Sequence, residues 1–161
     1  MAKSDDKTNV MRILESMGIA YTPRSYDAGD TPVTAVDAAD KLGVPREAMY
    51  KTLVTRGASG NHFVFVIPGE NELDLKAAAR AVGEKSIVMV KQAELLPLTG
   101  YIHGGCSPIG MKKQFPTCFE EEIILLDTVT VSAGKIGRMI ELCPDDLISA
   151  VGGITAPVSR Q

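Results

Sequence analysis

Cysteine and histidine are scarce in this chain. Its three cysteines, Cys106, Cys118 and Cys143, are too few and too irregularly spaced for a disulfide framework or a zinc-finger pattern. An odd count also fits a reducing compartment. With His62 and His103 as the only imidazoles, no dedicated transition-metal site is expected. No apolar run approaches the roughly 20 residues of a membrane span. The opening Met1-Ala2-Lys3-Ser4-Asp5-Asp6 lacks the apolar core of a signal peptide, so a cytoplasmic protein without a membrane partner is expected. An excess of positive charge is missing too: 17 Lys and Arg stand against 20 Asp and Glu, a net charge of −3. A protein that holds long duplex nucleic acid alone is usually basic. Any nucleic-acid contact should therefore be local, or assisted by a partner.

What is present suits one soluble domain, taken as residues 1–161, with 45% hydrophobic and 23% charged residues. No internal repeat or linker interrupts it. Val10, Ile13, Leu14 and Met17 recur at helical spacing, which predicts a helix from about Asp6 to Met17 ended by Gly18. Ile19 to Tyr26 reads as a strand, with Pro23 marking a sheet edge. Thr31-Pro32 looks like an N-cap followed by the first helical residue, for a helix running to Gly43 whose small apolar stripe reads as core packing. Tyr50–Thr55 and His62–Ile67 read as an antiparallel hairpin across Gly57-Ala58-Ser59-Gly60-Asn61. Asp74 should cap a helix over Leu75–Val82. A strand over Ser86–Val90 and a short helix over Gln92–Leu96, limited by Pro97, follow. Thr117–Phe119 and Ile123–Leu126 are strand candidates split by Glu120-Glu121-Glu122, read as a solvated acidic turn. Val129–Ser132 and Arg138–Leu142 are two further strands. Pro144-Asp145-Asp146 opens a last helix, and the tail after Gly152-Gly153 is expected to be loosely held. The pattern predicts a mixed α/β fold, a curved or partly closed, barrel-like sheet with helices packed around it.

The chemistry concentrates in three places. Gly100-Tyr101-Ile102-His103-Gly104-Gly105-Cys106-Ser107-Pro108-Ile109-Gly110-Met111-Lys112-Lys113 is a glycine-rich loop closing on two lysines. Successive N–H groups in such a loop can form a concavity for an anion or oxyanion; a solvated surface loop is the plain alternative. Lys51 lies in an otherwise apolar strand and is read as sharing a half-buried side with Val54. There its stem either snorkels outward or its ammonium lines a pocket and polarises a carbonyl or phosphate oxygen. Ser132 heads the turn Ser132-Ala133-Gly134-Lys135 as a ligand-orienting hydroxyl, without a neighbouring His or Asp to make it a nucleophile. Gly134-Lys135 lacks the Walker spacing, which argues against ATP hydrolysis. Tyr26 is either a pocket wall or an edge residue. Cys106, three residues after His103, is either a nucleophile brought to its base by a sharp turn or a small apolar residue packed under the loop.

Four blocks in this order resemble the YbaK/EbsC family of free-standing aminoacyl-tRNA deacylases, related to the editing domain of bacterial prolyl-tRNA synthetases. They are Tyr50-Lys51-Thr52-Leu53, Leu73-Asp74-Leu75-Lys76, Thr99-Gly100-Tyr101 with Gly104-Gly105-Cys106-Ser107-Pro108-Ile109-Gly110-Met111-Lys112-Lys113, and Val131-Ser132-Ala133-Gly134 with Ile140-Glu141-Leu142. The resemblance implies the barrel-like α/β fold and hydrolysis of the ester joining a wrong amino acid, typically Cys or Ala, to tRNA(Pro). It implies no cofactor and no metal. It gives Lys51 the essential catalytic role and makes Tyr26, Gly104, Gly105, Ser107, Ser132 and Gly134 substrate-binding residues. Lys112 and Lys113 would meet phosphates near the acceptor end of the tRNA, with prolyl-tRNA synthetase as a partner that lends affinity. In Cys-specific members the substrate thiol attacks its own ester, so no protein nucleophile is required. Met139 stands where some members carry an acidic residue, and Thr34 lies nearest to a pocket phenylalanine of others. Three alternatives accompany this expectation: a catalytically silent aminoacyl- or nucleotide-binding module, an Ala-tRNA(Pro) deacylase using water, and a cysteine hydrolase through Cys106.

Overall fold

A computed structural model describes residues 7–29 and 33–161. Helix α1, Asn9–Ser16, starts where the Thr8 side chain accepts the Met11 N–H, and it buries Val10, Met11 and Leu14. Each such side chain contributes about 1.5–3 kcal/mol when fully removed from water. Asp6, where the helix was expected to begin, lies outside the described residues. Strand β1, Thr22–Ser25, is shorter than the expected run, and it lies at a sheet edge as Pro23 requires. Thr31-Pro32 also falls outside the described residues. The cap of α2, Ala35–Leu42, is Thr34, whose hydroxyl accepts the Asp37 N–H, and Gly43 ends the helix in the left-handed region.

The hairpin forms as expected. Strand β2, Tyr50–Gly57, pairs antiparallel with β3, His62–Pro68, from Tyr50 opposite Pro68 to Arg56 opposite His62. Next come β4, Glu72–Leu73, and α3, Leu75–Val82, capped by Asp74 and stopped by Gly83. Strand β5 is Ile87–Met89, and α4 is Gln92–Thr99. The expected stop at Pro97 is corrected: the helix runs one short turn past the proline, to Thr99, where neighbouring donors hold it. The Gly100 N–H still reaches Leu96 O at 2.9 Å, and the Thr99 hydroxyl donates to Leu95 O at 2.8 Å. Strands β6, Thr117–Glu120, β7, Val129–Lys135, and β8, Arg138–Leu142, precede α5, Pro144–Val151. Ile154–Ala156 and Ser159–Arg160 are β9 and β10.

The strands form sheets in the orders β5-β2-β3-β6-β9, β1-β8-β7 and β10-β4. Pairing is mixed: β3-β6 and β6-β9 are parallel, the rest antiparallel. The architecture is therefore mixed α and β, and among the described residues the sheets do not close into a barrel. Central strand β3 is buried on both faces. Val64 and Val66 join Val10 and Leu14 of α1, Val131 and Ile140 of the second sheet, and Leu147 of α5. Phe63, Phe65 and Ile67 face Ala78 and Ala79 of α3 and Val158. A third cluster sets Ala38 and Ala39 of α2 against Met49 and Met139.

Three expectations in the C-terminal third are corrected by packing. Residues 121–125 form a 3-10 turn instead of opening a strand. Only Ile123 turns inward while Ile124 and Leu125 stay exposed, so no alternation exists for a sheet to bury. Glu120 is not solvated. Its Oε1 accepts the Val158 N–H at 3.1 Å, the Ser159 N–H at 2.8 Å and the Ser159 hydroxyl at 2.7 Å. This clasp, with β9 on β6 and β10 on β4, holds the tail that composition alone marked as loose.

Removing the clasp should be costly, because hydrogen bonds to a buried charge are lost and a buried amide is orphaned. Glu120→Ala is expected to lower unfolding free energy by about 2–3 kcal/mol in urea titrations. It should also expose the C-terminal residues to proteolysis; an unchanged midpoint would show that the carboxylate holds nothing.

Candidate functional site

A cavity of about 400 Å³ opens where the two larger sheets and α2 meet. Met49 and the first residues of β2, Tyr50 to Leu53, form one wall. Val33, Thr34, Ala35 and Ala38 of the α2 end form a second. Tyr26, Ser132 and Met139 come from the three-stranded sheet and its margin. Leu95, His103, Gly104 and Cys106 complete the lining from α4 and the glycine-rich loop. Helix α2 comes this close because Gly69 has no side chain: a Cβ there would lie 2.3 Å from the Ala35 Cβ. The Gly69 N–H also donates to Met49 O at 2.8 Å, tying the ends of the hairpin together under the cavity.

Lys51 is half-buried in this wall. Burial lowers its pKa from the ordinary lysine value, and the nearby Glu72 carboxylate opposes that shift. Side chains alternate along a strand, so Lys51 shares its side with Leu53 and Thr55 rather than with Val54 as the sequence reading had it. Val54 points with Tyr50 into the first core cluster, and Leu53 packs on the second.

Of the other residues singled out from the sequence, Tyr26, Gly104 and Ser132 line the same cavity as Lys51. Burial pushes the Tyr26 phenol up, so it stays a neutral donor at physiological pH. The Ser132 Oγ accepts the Gly134 N–H at 3.1 Å, which leaves its own hydrogen for a ligand. Gly134 thus orients Ser132 and lies outside the lining itself. Its φ of +101° suits glycine, and a Cβ there would sit 3.0 Å from the Tyr101 ring. Gly105 is buried behind the lining, and its N–H donates to Ile102 O at 3.0 Å. A Cβ on Gly105 would lie 3.0 Å from the Ile136 nitrogen, so this glycine lets two loops touch. Ser107 is fully buried and accepts the Ile109 N–H at 3.2 Å, building the loop's turn. Lys112 and Lys113 are exposed and off the lining. The Lys112 stem runs beside Gly100, and the Lys113 Nζ stands 6.0 Å from the Phe115 ring centroid.

Cys106 does line the cavity, but burial pushes its thiol up to about 12, which keeps it protonated near neutrality. Among the described residues no hydrogen bond joins it to His103.

Sequence reasoning passed over Thr52. Its Oγ1 is buried without a hydrogen-bond partner among the described residues, and the residue lines the cavity. An orphaned buried hydroxyl is costly unless something else fills the need. Its signal in the sequence was its place beside Lys51 on the opposite side of the same strand end. The small residues of α2, read as plain core, form the cavity's second wall because α2 sits over the hairpin's open end.

The lining therefore offers one ammonium, several hydroxyls and a broad apolar surface, with His103 at the rim and, among the described residues, no carboxylate. It can hold a small polar group by its carbonyl oxygen and enclose a short apolar side chain.

Comparison with known proteins identifies the family. Residues 31–150 match the model of the aminoacyl-tRNA editing domain. The chain is 43% identical over 159 residues to a candidate Cys-tRNA(Pro)/Cys-tRNA(Cys) deacylase, EbsC, from Enterococcus faecalis, covering 99% of this chain and 97% of that protein. It is 31% identical over 99 residues to the proline–tRNA ligase of Fervidobacterium nodosum, covering 62% of this chain and 16% of the ligase. A solved structure of a candidate trans-editing enzyme for prolyl-tRNA synthetase superposes with a TM-score of 0.80 at 25% identity, covering 96% of this chain and 99% of that one. The chain belongs to the aminoacyl-tRNA editing domain family.

Proposed function

We propose that this protein is a free-standing aminoacyl-tRNA deacylase, acting as a single domain in the cytoplasm. In this reading it hydrolyses the ester of mischarged tRNA, with Cys-tRNA(Pro) as its preferred substrate. The observation that carries this reading is a half-buried Lys51 in a cavity that offers hydroxyl donors but, among the described residues, no activated protein nucleophile. A synthetase pocket separates small side chains poorly, and a second site that removes the errors is the chemical remedy. The name of the Enterococcus relative supports the substrate.

The terminal adenosine and its ester enter the cavity, with the amino-acid side chain toward the apolar wall of Ala35, Ala38 and Met139. The Lys51 ammonium, the Ser132 hydroxyl and the exposed Gly104 backbone hold the ester and its developing oxyanion. The substrate's own thiol, giving up its proton, attacks the ester carbonyl. The C–O bond to the ribose breaks, and the released 3′ oxygen takes a proton. The thiolactone leaves and is opened by water. Positioning and charge stabilisation then supply the rate. Thr52 adds a hydroxyl that a bound substrate would satisfy. Lys112, Lys113 and prolyl-tRNA synthetase are further contacts of the acceptor end in this reading.

Deacylation of Cys-tRNA(Pro) and Ala-tRNA(Pro), measured side by side, tests the proposal. Cys-tRNA(Pro) should be lost rapidly, and Lys51→Ala should slow this by about 10²–10³-fold, as for loss of one oxyanion donor, while remaining folded. Unchanged turnover in that variant would sink the role of Lys51. Hydrolysis of Ala-tRNA(Pro) would demand an attacking water. Binding without turnover of either would leave a silent binding module.

Cys106→Ala should keep deacylation within about tenfold of wild type. A loss as large as that of Lys51→Ala would restore the cysteine nucleophile.

The lowered pKa of Lys51 gives a coupled pH prediction. Activity should fall as pH rises through a value below that of an ordinary lysine, because the ammonium is lost. The stability contribution has the opposite sign, since the unfolded chain binds that proton more tightly than the folded one. Lys51→Met should therefore gain thermal stability over wild type near pH 7, and the gap should close as pH approaches 10.4. A gap independent of pH would place the ammonium in water.

A further inference from the structure

We infer that a second, basic cavity beside the first takes a backbone phosphate of the RNA whose acylated end lies in the first. The inference rests on the deacylase reading and extends it to how the RNA is held. This cavity measures about 360 Å³, and its lining includes Lys7, Arg24 and Arg138 with Tyr21 and Ser25, and no acidic residue among the described residues.

Two of the cations are oriented by carboxylates placed outside the lining. The Lys7 Nζ donates to Glu15 at 2.9 Å, and the Arg24 Nε donates to Glu141 Oε1 at 2.6 Å, with a terminal guanidinium nitrogen 2.6 Å from the same oxygen. Those carboxylates have other donors as well: the Tyr21 hydroxyl on Glu15 and the Thr128 hydroxyl on Glu141, each at 2.6 Å. An ammonium has three N–H groups and a guanidinium five, so Lys7 and Arg24 keep donors for a further acceptor. The exposed Lys7–Glu15 pair is worth little, so it offers a phosphate little competition. An arginine fork matches a phosphate bidentately.

Position decides what the cavity serves. Strand β1 is outermost in its sheet, with Ser25 opposite Arg138 and Arg24 opposite Met139. Ser25 and Arg138 line the basic cavity, while the next residues, Tyr26 and Met139, line the first. Side chains alternate along a strand, so the two cavities flank the β1-β8 seam from its two faces at this sheet edge. Lys112 and Lys113 line neither. On a chain of net charge −3, attraction for RNA has to be local, and this seam concentrates it.

Fluorescence anisotropy of the full chain with an uncharged acceptor-stem hairpin ending in CCA, across a salt series, tests the assignment. Lys7→Gln/Arg24→Gln/Arg138→Gln should bind at least tenfold more weakly, and the slope of log K against log salt should fall by about 0.7–0.9, the share of one phosphate. Arg24 ties β1 to β8, so Lys7→Gln alone guards against misfolding; it breaks one exposed pair and should weaken binding and lower the slope by less than the triple variant does. Folded variants with wild-type affinity and slope overturn the inference, even if the wild type deacylates. If the variants show these losses but the wild type deacylates no aminoacyl-tRNA, the deacylase reading is overturned instead and the phosphate site stands.

Discussion

Burial of β3 on both faces is the constraint from which the rest of the structure follows. Its Val64 and Val66 belong to one core and its Phe63, Phe65 and Ile67 to the other. A slip of one residue would exchange the two sets, so the register of every neighbour is held. That register sets Tyr50 opposite Pro68 and brings Lys51 and Thr52 to the end of the hairpin. There Gly69 admits α2, and the space between them becomes the cavity. The position of the ammonium is thus a consequence of packing some distance away.

The cavity departs from the rules the rest of the molecule obeys. Lys51 is half-buried against its charge, and the Thr52 hydroxyl is buried without a partner. Both features cost stability in the folded chain, and both suit a ligand that supplies an oxygen to each. The two cores and the Glu120 clasp offset that cost elsewhere. The clasp also fastens β10 to β4, which carries Glu72, the carboxylate that tempers the shift of Lys51. The β1-β8 seam completes the arrangement, with the cavity that holds Lys51 on one side and the one lined by Lys7, Arg24 and Arg138 on the other.

Local signals in the sequence read well where one residue decides the outcome. Asp74 and Gly83 bound α3, Gly43 ends α2, and the glycine and asparagine turn defines the β2-β3 hairpin. They misled where tertiary partners decide. Glu120 looked like part of a solvated acidic run until Val158 and Ser159 were brought to it, and the tail looked loose until β6 and β4 accepted it. Pro97 looked like a stop because its lost donor was weighed without the neighbours that carry the helix on.

The sequence by itself determined the helix ends, the central hairpin, the mixed class and the motif residues Lys51, Gly104 and Ser132. These depend on backbone preference, side-chain periodicity and residue chemistry within a few positions of one another. Only the tertiary structure decided that Tyr26, Lys51, Gly104 and Ser132 share one wall-lined space, while Gly105, Ser107 and Gly134 build the loops behind it. It also decided that Thr52 is buried without a partner and that Lys7, Arg24 and Arg138 meet. Such juxtapositions join residues up to more than a hundred positions apart, and only the burial of a shared core sets the distance between them.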